Sequence, residues 1–321
     1  MDADILIAGG GLNGPALALA LAQGGLKVIV IDNRPAVSRA EAGFDGRAYA
    51  LAIASKRLLT MTGVWPRIGD KAQPIHKIKA SDGLAGQGPA PFFLTFDAAE
   101  IEEGPMGFLL EDRYLYAAFL AAMAEEPNIT LLSGETVIAQ EVAANAVTIT
   151  LGSGKSLTGR LLIGCDGRGS GTAARAGIRR VGWGYGQTAL VTAIHHEQDH
   201  QGIAHQFFMP EGPLAILPLK GGHHSSIVWS ETEENATRIQ ALPDDQYLAA
   251  LRPRFGDFLG EISLAGDRFT YPLSLSLAER FIAPRVALVG DSAHGVHPIA
   301  GQGLNLGPVS YTHLRAHETK A

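Results

Sequence analysis

The chain has one cysteine, Cys165, in 321 residues. A single thiol can neither close an intrachain disulfide nor build a thiolate metal cage, and such a composition fits a reducing compartment. Charge is also sparse: charged residues are 18% against ~25% in an average soluble domain. Lys+Arg 26 against Asp+Glu 32 leave a net charge of −6. No basic block is dense enough to neutralise a run of phosphates, so nucleic acid is not an expected partner. Long hydrophobic runs are missing too. No window approaches the ~18 apolar residues that span a bilayer. The N-terminal MDADILIAGGG lacks the basic region and cleavage site of a signal peptide. A cytoplasmic protein is expected, with any membrane contact peripheral and on the inner face.

Glycine is what the chain has in excess, at 39 residues, above the ~7% usual share, which implies many close backbone approaches. Hydrophobic content of 46% allows a sizeable core, and the length allows about two domains.

Residues 4–8 (Asp-Ile-Leu-Ile-Ala) read as a buried strand, followed by the turn Gly9-Gly10-Gly11-Leu12-Asn13-Gly14 and a run of helix formers from Pro15 to Ala22. Gly24-Gly25 ends that helix, and Lys27–Asp32 has the β-branched apolar character of a parallel strand covered on both faces. The result is a complete βαβ unit. Residues 108–126 carry a helical pattern stopped by Pro127, and 129–163 read as short strands in an inserted three-stranded meander. From 179 to 276 strand-like runs at 187–195, 204–209, 214–219 and 225–229 predict a mainly antiparallel sheet, with a helix over 243–254. Val286–Gly290 returns to the buried-strand pattern of the first domain, so that domain is discontinuous in sequence.

Gly9, Gly11 and Gly14 form G-x-G-x-x-G: the first permits the tight turn, the second admits a pyrophosphate to the backbone, and the third lets helix and strand pack closely. The helix N-terminus then faces the anion. Asp32 ends the next strand, where an acid accepts hydrogen bonds from adenosine ribose hydroxyls. Strand, turn, helix, strand and terminal acid together predict dinucleotide binding, without separating NAD from FAD.

Two distant segments separate them. Cys165-Asp166-Gly167 follows the strand 161–164, and Gly290-Asp291-Ser292-Ala293-His294 follows the strand 286–289, with Pro298 and Gly301-Gln302-Gly303-Leu304-Asn305 behind it. With the N-terminal turn, these segments resemble the FAD-dependent aromatic hydroxylases of the p-hydroxybenzoate hydroxylase type. Asp45–Leu51, Gly212–Leu219 and His297–Gly307 are most similar to the ubiquinone-biosynthesis branch, the polyprenylphenol hydroxylases.

The resemblance implies an α/β fold: an FAD-binding Rossmann-like domain of the glutathione-reductase type with an inserted β-meander, plus a mainly antiparallel β-sheet substrate domain. It divides the chain into 1–72, 100–178 and 277–307 for the FAD-binding domain and 73–99 and 179–276 for the substrate domain. It assigns Asp291 to the ribityl hydroxyls and Asp166 to the pyrophosphate side, and adds Arg34, Arg47, Arg113, Gly290, Gly301 and Gly303 to the cofactor site. The amides of Leu304 and Asn305, at the start of a helix, would support negative charge on the reduced flavin edge, with Pro298 near the flavin. Ala173 stands where the family tends to place an arginine, and Arg175 is the nearest substitute.

The activity implied is hydroxylation of a hydrophobic phenolic ring with NAD(P)H as transient electron donor and dioxygen as oxidant, by a protein peripheral to the membrane or part of a biosynthetic complex. Strand 214–219 and Phe207-Phe208 either wall the substrate or form sheet core. No residue stands out as a catalytic base. Other readings within reach are a non-catalytic flavin- or lipid-binding component of a ubiquinone-assembly complex, another FAD oxidoreductase of this fold, and an NAD-dependent dehydrogenase.

The pairs His195-His196 and His223-His224 are strand neighbours that point to opposite faces, so neither pair can hold one ion, and no metal is expected. Ser292 lacks the G-x-S-x-G elbow of a hydrolase, and Cys165 beside Asp166 should have a raised thiol pKa. After Gly307 the family pattern should continue through a helix, but Pro308 stops it. Residues 308–321 read as an artefactual, vector-like tail, and a chain cut here is expected to bind FAD poorly and to be inactive.

Overall fold

The computed structural model describes residues 1–35, 47–301 and 303–307. Asp45 and Gly46 of the second motif, Gln302, and the tail 308–321 lie outside the described residues.

Strand β1 (Ile5–Ala8) and strand β2 (Val28–Asp32) are buried at every position. This is why they carry unbroken apolar runs rather than alternation. They form the centre of a six-stranded sheet. Leu161–Gly164 lies beyond β1, Ile129–Ser133 beyond β2, and Val286–Leu288 then Ile282–Ala283 complete the edge. All pairs are parallel except the last. Helix α1 (Asn13–Gln23) crosses between β1 and β2, burying Ala16, Leu17, Leu19 and Ala22 against the sheet. Each fully buried leucine there stabilises the layer by roughly 1.5–3 kcal/mol.

The expected meander is Val137–Val142, Val147–Leu151 and Ser156–Gly159, an antiparallel three-stranded sheet. One expectation fails at 108–126. Gly107–Glu111 is a strand, paired with Ala48–Leu51 and Gln73–Ile75, and the helix begins at Asp112 and runs to Glu125. Phe108, Leu109 and Leu110 are consecutively buried, and a short apolar run of this kind reads equally as helix or strand until its partners are known.

The second sheet has ten strands. Arg180–His196 pairs with both His224–Thr232 and Phe269–Ala278, and Leu214–Pro218 leads on to Ile203–Phe208, all antiparallel. Ile203–Phe208 then meets Lys77–Leu84 in the parallel sense. Helices Glu233–Gln240 and Asp244–Phe255 cover one face of this sheet, closing a core that includes Phe207, Ile216, Trp229, Tyr247 and Phe255. Buried Trp229 donates to Glu231 Oε1 at 3.0 Å, and Arg254 neutralises that buried carboxylate from 2.9 Å. The opposite face is left to a cavity. No helix among the described residues is long and apolar enough to cross a membrane.

Candidate active site

The turn after β1 is shaped by contacts that exclude side chains. Gly9 has φ +110°, and a Cβ there would lie 2.2 Å from the Cys165 carbonyl oxygen. At Gly14 a Cβ would fall 2.0 Å from the Gly9 carbonyl oxygen. Both positions are glycine because backbone occupies the space. Gly11 is different: a Cβ there would meet no protein atom within 4 Å. It faces a cleft of about 590 Å³ that runs past Gly9, Asp32, Arg47, Asp166 and Asp291 to Gly303 and Leu304. Residues distant in sequence thus line one elongated groove.

Asp32 sits at the end of β2, 4% exposed. Its Oδ1 accepts from the Arg34 amide at 2.9 Å, while Oδ2 is buried without a partner. An unpartnered carboxylate oxygen is costly, and a ribose hydroxyl aimed into the cleft would satisfy it. The N-cap of α1, Leu12, brings no side chain to the helix's first amides, leaving them for an anion. The open space at Gly11, the oxygen at Asp32 and these amides fit the adenosine diphosphate half of FAD.

The other acids are held differently. Asp166 Oδ1 accepts from Ser170 Oγ and Oδ2 from the Thr172 amide at 2.9 Å, so the carboxylate ties its own loop to helix Gly171–Arg175. Asp291 accepts from Arg168 Nε at 3.2 Å. Arg168 also donates to the carbonyls of Ser274, at 3.1 Å, and Val296, at 2.8 Å, joining the two sheets across the groove. Arg180 donates to the carbonyls of Asp291 and Ser292. The Cys165 thiol, between these acids and the sheet, is pushed up by burial and then by Asp166.

Three of the expected arginines, Arg34, Arg47 and Arg113, have acidic partners. Arg113 pairs with Glu111 at 2.7 Å and its guanidinium lies over the Tyr114 ring. Arg47 lines the cleft and pairs with Asp112 at 3.0 Å; Arg34 and Arg175 line it as well. Gly290 packs against Asn13, where a Cβ would lie 2.2 Å from Nδ2. Asn305 is an anchor: Oδ1 accepts from Ala52 N and Ser55 Oγ, and Nδ2 donates to the carbonyls of Ala50 and Gly301, at 2.7–3.0 Å. It fixes the helical turn 303–307 against the strand Ala48–Leu51.

Pro298 and Gly301 line a second cavity of about 580 Å³. Its walls are almost wholly apolar, including Ile78, Phe96, Ala215, Leu217 and Phe208. Strand alternation decides the earlier ambiguity: Phe208, Ala215 and Leu217 wall this cavity, while Phe207, Leu214 and Ile216 are core on the opposite face. The two cavities share Tyr49, Gly303 and Leu304.

Sequence reasoning missed Arg168, Asn13 and Tyr49. The first two act through partners more than a hundred residues away, which no local pattern displays. Tyr49 lies inside a recognised motif but had no role until both cavities were seen to meet at it. Two buried histidines are held by their neighbours: His196 bonds the Gln198 carbonyl and Ser225, and His200 the Leu219 carbonyl.

Residues 2–314 match the family described as FAD binding domain. The chain is 44% identical over 305 residues to ubiquinone hydroxylase UbiL of Rhodospirillum rubrum, covering 95% of this chain and 70% of the relative. It is 34% identical over 307 residues to 3-demethoxyubiquinol 3-hydroxylase of Escherichia coli, covering 95% and 76%. Among solved structures, PqsL of Pseudomonas aeruginosa, a probable FAD-dependent monooxygenase, superposes with a TM-score of 0.78 at 22% identity over 95% of this chain and 82% of that one. The chain belongs to the FAD binding domain family, and FAD is its cofactor.

Proposed function

We propose that the chain is an FAD-dependent monooxygenase that uses NAD(P)H and dioxygen to hydroxylate the ring of a polyprenylphenol in ubiquinone biosynthesis. The observation that carries this reading is the shared wall: an apolar cavity of drug-ligand size meets the FAD cleft at Tyr49, Gly303 and Leu304. The names of the two ubiquinone-related relatives support the same substrate class.

FAD held in the cleft would supply the two-electron chemistry that couples NAD(P)H oxidation to insertion of one atom of dioxygen into the ring and release of the other as water. This chain's residues supply the rest. Gly11, Asp32 and Asp291 would hold the dinucleotide. The amides of Leu304 and Asn305, in the helical turn 303–307, would support negative charge at the cofactor edge. Apolar walls at Ile78, Ala215 and Leu217 would orient the ring and exclude water. Such a substrate resides in the bilayer, so the chain would work at the inner membrane face; exposed Phe92 and Leu94 support that placement.

The test is a purified, FAD-loaded protein given NAD(P)H and a short-chain prenylphenol. Substrate-stimulated NAD(P)H consumption with an equal yield of hydroxylated phenol is expected. Bound FAD with no hydroxylated product from any prenylphenol would overturn the reading and favour a non-catalytic lipid-binding component.

A further inference from the structure

The ring cavity does not end at Phe208. Along the face of the sheet that walls it, Ile78 and Ala80 project from strand Lys77–Leu84 and Gln206 and Phe208 from its neighbour, in the register Gln206–Ala80 and Phe208–Asp82. Two and four residues further on, the same face presents Asp82 and Leu84, at ~3.3 Å per residue. These residues open onto a third cavity of about 600 Å³, walled opposite by Pro89, Ala90 and Pro91, with Phe208 as one of its lining side chains. Phe208 therefore stands between the two cavities and belongs to both.

Asp82 and Gln87 are the polar residues lining the outer groove, and the rest of its lining makes few demands for hydrogen bonds. Pro89 and Pro91 carry no N–H, and the Ala90 amide is already given to the Asp82 carbonyl at 2.7 Å. Leu84 and Phe208 are 46% and 43% exposed along it. A neighbouring polar ligand would find no unpaired backbone donor on that wall, whereas a hydrocarbon chain would remove apolar surface from water.

We propose that this groove is a subsite for the isoprenoid tail of the substrate, which leaves the ring cavity past Phe208 and lies between Leu84 and the Pro89–Pro91 segment. The assignment rests on the prenylphenol reading above. It commits the site to a linear, unsaturated hydrocarbon, and makes tail length a determinant of affinity while leaving the chemistry at the ring unchanged.

Two measurements test it. In the first, KM and kcat are compared for phenols with one and three isoprenoid units, in the FAD-loaded protein and in its Ala90→Trp and Leu84→Glu variants. The longer tail should lower KM at least tenfold at constant kcat. Either variant should abolish that advantage while keeping the one-unit substrate within twofold. Equal effects on both substrates, or indifference to tail length, overturn the groove. The second needs no turnover. Leu84→Cys is labelled with a solvent-sensitive fluorophore in a Cys165→Ser background, which leaves one thiol in the chain. Farnesol, which has no aromatic ring, should shift the emission to the blue, and Ala90→Trp in the labelled protein should abolish the shift. A farnesol response in a protein that hydroxylates no phenol would keep the groove and discard the ring chemistry; no response from a well-folded, FAD-bound protein would discard the groove.

Discussion

Arg168 Nε lies 3.2 Å from Asp291 Oδ2, an ion pair that spans 123 residues of sequence and holds an acid lining the FAD cleft. The guanidinium is itself pinned by the Ser274 and Val296 carbonyls, so it fixes where the acid points and joins its loop to the ten-stranded sheet. Charge-assisted hydrogen bonds of this geometry are the stronger kind, although the pair is partly open to water, which weakens it. Arg168→Met should raise the dissociation constant for FAD about tenfold, ~1.4 kcal/mol, and, by removing the bonds to Ser274 and Val296, lower the melting temperature of the FAD-free protein as well. Titration of the apoprotein with FAD, followed by flavin fluorescence, measures it. An unchanged affinity would show that Asp291 needs no orienting partner.

Gly11 and Gly14 should respond in opposite ways to the same added methyl. A Cβ at Gly14 collides with the Gly9 carbonyl, and one at Gly11 touches no protein atom. Gly14→Ala is therefore expected to cost about 1–3 kcal/mol of folding stability, the usual penalty of overpacking. Gly11→Ala should leave the apoprotein's thermal transition in place and lower FAD affinity at least tenfold. Circular-dichroism melts with and without FAD separate the two; a destabilised Gly11→Ala apoprotein would contradict the open space drawn at that turn.

His205 makes stability pH-dependent. Its side chain lies on the helix-covered face of the sheet, 4.5 Å from the Phe258 ring, with Nδ1 buried and unpartnered. Burial, assisted by Lys79, pushes its pKa down from 6.5 to about 4. A histidine with a depressed folded pKa contributes full stability above pH 6.5 and loses it as pH falls towards 4, on the order of 3 kcal/mol over that window. His196 and His200, also lowered by burial, add to the same trend. His205→Leu should flatten the fall in urea midpoint between pH 7 and pH 5 relative to the parent. Identical slopes in the two proteins would refute it.

The cofactor half of the molecule was largely legible in the sequence because its signals are local. Gly9, Gly11, Gly14 and Asp32 sit within one βαβ unit, where each residue's role follows from spacing. The strand at Gly107–Glu111 was misread because three consecutive apolar residues carry no period. The apolar cavity was legible only in outline. Phe207 and Phe208 are identical in kind, and their opposite fates depend on which face the helix Asp244–Phe255 covers, a matter of tertiary packing. The pairing of Arg113 with Glu111, two residues before it, is a contact that a motif does not register.

The shared wall of Tyr49, Gly303 and Leu304 ties the affinities of two guests together. Whatever a seated ring does to that wall changes the grip on FAD, and by thermodynamic reciprocity FAD changes the grip on the ring by the same factor. Selection of the aromatic guest is in this way inseparable from occupancy of the neighbouring cleft, and a protein emptied of flavin would misjudge which rings it prefers.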